Sequence, residues 1–289
     1  IKNTSQGLGH AHFDQLGLLV FDAGSEILRD YGAARFLNIE AKYGGHYLPE
    51  NNTYAKQTVA HNALVVDGVS HFGGDVDLGN ANAPTLGTFY DGGDLKITSA
   101  EIDTAYPNVG MDRTMAMITD AAFARPVVVD LIEAHADASH QYDLPFFYNG
   151  QLIETNFDLR AETTSRKALG SKNGYQFLWN VGQGKPSDGL SQITWLLDRT
   201  FYSVSYAVPK NSEIIFAEIG ANDPDFNLRR EPAFILRARQ NGGISIASVI
   251  EPHGDYNPIV EYTKDSHSNV KSVTHFENGG DDYVEIVTQ

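Results

Sequence analysis

The sequence predicts an all-β protein, a large antiparallel β-sandwich of several sheets. Three observations predict it. Apolar runs of about four to eight residues recur, bounded by Gly, Asn, Asp and Pro. Turn sequences such as Asp67-Gly68 and Asn241-Gly242-Gly243 fall between runs rich in β-branched and aromatic residues. Long amphipathic helices are missing, since no stretch sustains a helical period over several turns.

Taken in order, Leu16 to Phe21 and Glu26 to Tyr31 flank Asp22-Ala23-Gly24 and read as a hairpin. Ala33 to Lys42 is the best helical stretch, short and bounded by Gly32 and Gly44-Gly45. Val59 to Val66 reads as a strand ending at the Asp67-Gly68 turn. Further strands follow at Pro126 to Ile132, Tyr175 to Asn180, Ile193 to Leu197 and Phe201 to Val208. Phe234 to Arg239 and Ile244 to Ile250 flank Asn241-Gly242-Gly243 as a second hairpin, and Tyr283 to Val287 closes the chain. Gly44 to Lys56 and Gly73 to Gly93 read as long loops, which in compact domains are often functional. With no repeat and no Pro-rich linker, residues 1–289 read as a single domain.

Of the 289 residues, 42% are hydrophobic and 20% charged, which suits a folded chain with a sizeable core. The formal net charge of −16 argues against nucleic acid and anionic membranes as general partners. An anionic substrate would need local positive charge set against that field. There are no cysteines, so any metal site must use His, Asp or Glu. No run is long and apolar enough to span a membrane, and no signal peptide is visible.

The richest polar motif is Gly9-His10-Ala11-His12-Phe13-Asp14. Residues two apart on a strand share a face, so His10, His12 and Asp14 are expected to form one row. Asp30 is expected at the end of the strand paired with that segment, and His61 at the opening of the strand Ala63 to Val66. Two imidazoles and a carboxylate drawn from three strands suit Zn²⁺, which takes N and O ligands in a tetrahedron. A histidine in an apolar strand is more often a hydrogen-bonded core residue than a ligand, and spacing alone leaves both readings open. Glu251-Pro252-His253-Gly254 reads as a strand end with a turn-capping acid, and His140-Gln141-Tyr142-Asp143 as packing.

The Gly9 to Leu16 stretch resembles the G-H-x-H-x-D segment of heparinase II/III-like polysaccharide lyases. Ala60-His61-Asn62 through Asp67-Gly68 is similar to the A-H-N-x-x-x-x-D-G segment of the same family. Arg29-Asp30-Tyr31-Gly32-Ala33-Ala34-Arg35-Phe36 and Tyr47-Leu48-Pro49-Glu50-Asn51-Asn52-Thr53 look like the oligoalginate lyases of polysaccharide lyase family 17. The likeness is strong over residues 7 to 72 and general beyond. Ala11 departs from it, standing where Gly is common.

The resemblance implies the C-terminal β-sandwich of a two-part enzyme whose N-terminal (α/α) toroid is absent from this chain. It implies a structural zinc ion held by His12, Asp30 and His61. It implies that His10 faces the substrate in a catalytic role and that Arg35 and Tyr47 bind substrate. The expected activity is β-elimination on alginate oligosaccharides, of exo type, by a carbon-oxygen lyase. The principal Tyr and His acid/base residues are expected in the toroid, which is thus a partner of this chain alongside the acidic oligosaccharide. A periplasmic or secreted bacterial setting is implied, and a homodimer is compatible with it.

Other readings remain beside this one. The substrate could be another uronic-acid polysaccharide such as heparin or heparan sulfate. The chain could be a non-catalytic carbohydrate-binding module. A metal-dependent hydrolase is disfavoured, because Gln15 stands where the metallo-β-lactamase pattern H-x-H-x-D-H has its last His.

Overall fold

A computed structural model of the chain describes residues 1–289 other than 6, 8, 9, 35–46, 188, 208 and 210. Two antiparallel sheets dominate. The six-stranded sheet runs, edge to edge, Leu159–Ala161, Leu178–Gly184, Glu213–Ile219, Pro232–Asn241, Ser139–Phe147 and Val65–Val66. The eight-stranded sheet runs Thr85–Asp91, Leu95–Tyr106, Val109–Ile118, Val127–His135, Ile244–His253, Thr200–Ala207, Ser191–Leu197 and Gln151–Thr155. The all-β sandwich expectation holds, and Val76–Ala81 is a short α-helix.

The main core lies between the sheets. Phe146, Phe216, Phe234 and Leu236 from one meet Trp195, Tyr206, Ile246 and Met111 from the other. Full burial of such a side chain contributes about 1.5–3 kcal/mol relative to leaving it in water. Strand alternation then sends Phe147, Ile215, Ala233 and Ile235 to the opposite face of the six-stranded sheet. There they pack under a layer of turns containing Tyr31, Tyr54, Val59, Tyr175 and Leu228. The outer face of the eight-stranded sheet presents Val127, Val129, Leu131, Ala247 and Val249, which pack with Val270 and Val273 of a C-terminal hairpin. That hairpin, Val270–Asn278 with Asp281–Thr288, contains the closing strand expected from Tyr283 to Val287.

Four sequence readings change. Asn241-Gly242-Gly243 is not a hairpin turn: Pro232–Asn241 belongs to the six-stranded sheet and Ile244–His253 to the eight-stranded one, so the chain crosses between layers there. The crossing beside it, from His135 to Ser139, is tied on by Gly242 N–H donating to Ala138 O at 2.9 Å. Gly243 is required at this corner, because a Cβ there would lie 2.1 Å from Ala134 O. Second, Thr58–Ala60 is a 3-10 turn and only Val65–Val66 is strand, because Thr58 Oγ1 and Asn62 bind backbone from other segments. Tyr175–Phe177 is likewise a 3-10 turn ahead of Leu178–Gly184. Third, the region from Gly73 to Gly93 contains a helix and an edge strand, the helix capped by Asp75, which accepts from Asp77 N–H and Leu78 N–H. Fourth, residues 10–19 form no strand, since their backbone bonds run instead to Lys2, Lys56 and Asn62. The helical stretch expected over Ala33 to Lys42 lies largely outside the described residues.

Candidate metal centre

The centre lies beside Val65–Val66, the edge strand of the six-stranded sheet, where three irregular segments meet. The first carries His12. Phe13 N–H donates to Lys56 O at 3.0 Å, and Thr58 Oγ1 donates to Phe13 O at 2.6 Å, so the segment is anchored on both sides of Phe13. Lys2 Nζ donates to His12 O at 3.0 Å and also pairs with Asp14. Asp14 therefore turns to Lys2 rather than extending a histidine row.

The second segment carries Asp30. It leaves the hairpin Val20–Asp22/Ser25–Leu28, whose turn at Ala23 and Gly24 has φ of 50° and 84°. Those left-handed values match the strand twist and favour Asp22-Ala23-Gly24 as a turn. Arg29 N–H then donates to Phe147 O at 2.8 Å, fixing the segment to the six-stranded sheet. Asp30 Oδ1 accepts from Gly32 N–H at 3.0 Å. The strand Ser25–Leu28 pairs with Val20–Asp22, not with the His12 segment as the spacing suggested.

The third segment carries His61, immediately after the Thr58–Ala60 turn. His61 Nδ1 lies 3.0 Å from Asp30 Oδ1, and Nε2 lies 3.0 Å from Ala55 O. The His12 and His61 rings are 5.0 Å apart between centroids and tilted by 40°. One donor atom from each of His12, Asp30 and His61 falls within 4.8 Å of the other two. The structure thus brings together the three residues expected to hold a metal, although not by strand pairing.

The electrostatics follow from that geometry. Burial works against charge on His61, but the Asp30 carboxylate and its hydrogen bond raise its pKa. Burial works to raise the Asp30 carboxyl, and the His61 charge, the His61 hydrogen bond and Gly32 N–H outweigh it and hold it low. His12 is pushed down to about 4, first by burial and then by the positive charge on His61. Ala55 O can only accept, so His61 Nε2 carries a proton. If the ring is neutral, Nδ1 is then a lone pair aimed at a carboxylate and beside a second imidazole. Acceptors converging on one point need either a proton or a cation between them. Zinc bonds of about 2.0–2.2 Å set neighbouring donors a little over 3 Å apart, near the His61–Asp30 spacing seen. The donors therefore fit a divalent cation taking two N and one O ligand.

Two residues to which the sequence assigned no role hold this centre in place. Asn62 is 1% exposed; its Nδ2 donates to Leu18 O and Arg29 O at 2.9 Å each, and its Oδ1 accepts from Phe147 N–H at 2.8 Å. One side chain thereby ties the residues beside His61, Asp30 and the sheet together. Arg113, fully buried, donates to Leu16 O at 2.8 Å and Asn62 O at 2.6 Å through Nη1. Its Nε and Nη2 form a bidentate pair with buried Asp130 at 2.6 and 2.7 Å. The available signal was Asp130 itself, a carboxylate inside the apolar run Val127 to Ile132 that demands a buried partner.

The remaining expected site residues are not gathered onto the three donors. His10 is exposed, two residues before His12. Tyr47 is 83% exposed at the entry to the turn that leads to Asn51–Ala55. Arg35 lies outside the described residues. Glu251 caps a turn, as the sequence suggested: it accepts from Ser268 Oγ at 2.5 Å and Asn269 N–H at 3.0 Å. Asp143 is a buried packing residue, paired with Arg237 at 2.7 Å through both oxygens and bonded to Tyr175 OH at 2.5 Å.

Comparison with known proteins places these features in context. The family model described as Heparinase II/III-like, C-terminal, matches residues 1–271. An exo-oligoalginate lyase from Saccharophagus degradans is 45% identical over 288 residues, which is 99% of this chain and 39% of that protein. An alginate lyase from Stenotrophomonas maltophilia is 43% identical over 285 residues, 99% of this chain and 38% of that protein. Among solved structures, a heparinase III superposes on the whole chain with a TM-score of 0.63 at 11% identity, using 38% of its own length. A heparan sulfate lyase from Pedobacter heparinus does so with a TM-score of 0.57 at 13% identity, again over 38% of its length. The structural likeness at such identities speaks to fold alone. The chain thus spans about two-fifths of the curated relatives it matches.

Proposed function

As this chain belongs to the heparinase II/III-like C-terminal family, matched over residues 1–271, we propose that it is the β-sandwich part of a lyase degrading alginate oligosaccharides by β-elimination. The observation that carries the reading is 45% identity to an exo-oligoalginate lyase over 99% of the chain. Exo-type trimming, and export to the periplasm or beyond, belong to the same proposal. So does a toroid elsewhere in the enzyme supplying the principal acid and base.

The chemistry sets the demands. The C5 proton of a uronate is weakly acidic, and its removal places negative charge on the neighbouring carboxylate. Catalysis needs a base for that proton, an acid for the departing O4 and donors facing the developing charge. In this reading His10 and Arg35 supply donors to the anionic sugar, and Tyr47 hydrogen-bonds it. His10 and Tyr47 are exposed, as a substrate contact requires. Local positive charge is needed because the chain carries a net −16, which repels a polyanion.

His12, Asp30 and His61 would hold zinc. When bound, the ion would fix the three segments around it and so set the position of His10, without taking part in proton transfer. The convergent donors described above support this assignment.

The test is kinetic. Full-length enzyme carrying His10→Ala is assayed on oligoalginate by the ultraviolet absorbance of the C4–C5 double bond that elimination creates. The expected loss in kcat/KM is about 10²-fold, the scale of one transition-state donor. Unchanged kcat/KM would remove His10 from the mechanism, and products lacking the double bond would overturn the lyase reading.

A further inference from the structure

A second group of metal-type donors lies on the other side of the molecule. Val127, Val129 and Leu131 point to the outer face of the eight-stranded sheet, where the C-terminal hairpin covers them with Val270 and Val273. Strand alternation puts Glu133 next in that row. On the hairpin, His275 follows Val273 on the same face, and Asp282 sits diagonally across from it. The apolar contact therefore ends in three polar residues that face one another. One donor atom from each of Glu133, His275 and Asp282 falls within 4.8 Å of the other two.

The details favour a ligand. His275 Nε2 lies 2.9 Å from Asp282 Oδ1 and 3.9 Å from Glu133 Oε1. The Glu133 side chain is 7% exposed and that of His275 14%. Glu133 Oε1 accepts from Ser245 Oγ at 2.5 Å, and its second oxygen accepts no hydrogen bond among the described residues. Asp112 stands directly across from Glu133 on the neighbouring strand and is bonded to His135 Nε2 at 2.6 Å. Three carboxylates thus crowd one end of this face. Among the described residues none of them forms an ion pair with Lys or Arg; their ion-pair partners are the two imidazoles. The Glu133 carboxylate, buried and with only His275 as an ion-pair partner among the described residues, calls for a cation, while Asp112 and Asp282 at its rim are more exposed. One imidazole nitrogen and two carboxylates make a donor set for a divalent transition metal such as zinc.

We infer that Glu133, His275 and Asp282 form a second divalent-cation site, which staples the C-terminal hairpin to the eight-stranded sheet. It is distinct from the His12 centre in residues and in place, and it does not depend on the alginate reading. Metal at this site adds its binding free energy to the docking of the hairpin.

The experiment compares full-length enzyme with its Asp282→Asn variant after chelator stripping, titrating with Zn²⁺ against a chromophoric chelator. Asp282 is 42% exposed, so the substitution does not disturb the core. Amide exchange of Val270–Asn278 is followed in parallel. The expected result is one fewer tightly bound zinc in the variant, with roughly 100-fold weaker affinity at the lost site. Zinc should also slow exchange in the hairpin of the wild type only. Should Asp282→Asn disturb folding, His275→Gln serves as the second variant with the same readouts. Equal zinc counts and equal zinc-dependent protection in wild type and variant would overturn the site. A count falling from one to zero would retain it and instead remove the His12 centre.

Discussion

Asn62→Ala tests how the His12 centre is held. Its side chain makes three hydrogen bonds to backbone groups of Leu18, Arg29 and Phe147, and it is 1% exposed, so water does not replace what is lost. Each stranded backbone group costs about 1–3 kcal/mol, giving a loss of roughly 3–6 kcal/mol after partial relaxation. That is a large part of the ~5–15 kcal/mol that stabilises a typical domain. The assay is urea unfolding followed by tryptophan fluorescence, to which Trp195, fully buried between the sheets, contributes beside Trp179. The midpoint should fall sharply at unchanged m-value. Asn62→Asp serves as the size control: it keeps an acceptor for Phe147 N–H but has no donors for Leu18 O and Arg29 O. It should cost at least as much as Ala. A loss below about 1 kcal/mol in either variant would refute the view that one amide ties these segments together.

Three further outcomes follow from the same structure. Arg113→Met strands Asp130, which is fully buried, and should cost about 3–5 kcal/mol in thermal or urea unfolding; replacing both residues by apolar ones should recover much of it. His71 is held neutral, burial pushing its pKa from 6.5 down to about 3, so protonation favours the unfolded chain. Stability should therefore be full above about pH 6.5 and fall as pH drops towards 3; in His71→Gln that slope should lessen by about one proton, and an unchanged slope would contradict it. Gly243→Ala places a Cβ 2.1 Å from Ala134 O and should destabilise by at least about 2 kcal/mol, whereas the same change in an ordinary hairpin turn would be milder.

What the sequence could reveal was local. The turns at Ala23-Gly24 and Asp67-Gly68 are legible because Gly and Asp favour left-handed backbone, with φ of 84° at Gly24 and of 52° and 65° at Asp67 and Gly68, although Ala23 at 50° carries no such mark. Strand runs are legible because β-branched and aromatic residues favour the pleated, half-buried strand surface. Which sheet a strand joins depends on contacts far along the chain, so Asn241-Gly242-Gly243 reads as a hairpin although it is a crossing. The edge strand Thr85–Asp91 is exposed along its whole length and shows no buried face to read. The three donors are identifiable by residue type and family motif, yet the strand pairing expected to bring them together is not how they meet. They meet because Asn62, Thr58 and Arg113 satisfy backbone groups of irregular segments, and such bonds leave no periodic trace. Asn62 was in plain view beside His61, and only its partners show what it does.

The reading of His12, Asp30 and His61 as a zinc centre is tested most directly by diffraction from crystals of the enzyme grown without added chelator. Data are collected on either side of the zinc absorption edge. A zinc centre gives an anomalous peak present only above the edge, about 2.0–2.2 Å from His61 Nδ1, a His12 ring nitrogen and an Asp30 oxygen, with His61 Nε2 still on Ala55 O. No peak there, with His61 Nδ1 donating straight to Asp30 as it would in an ion pair, would contradict it.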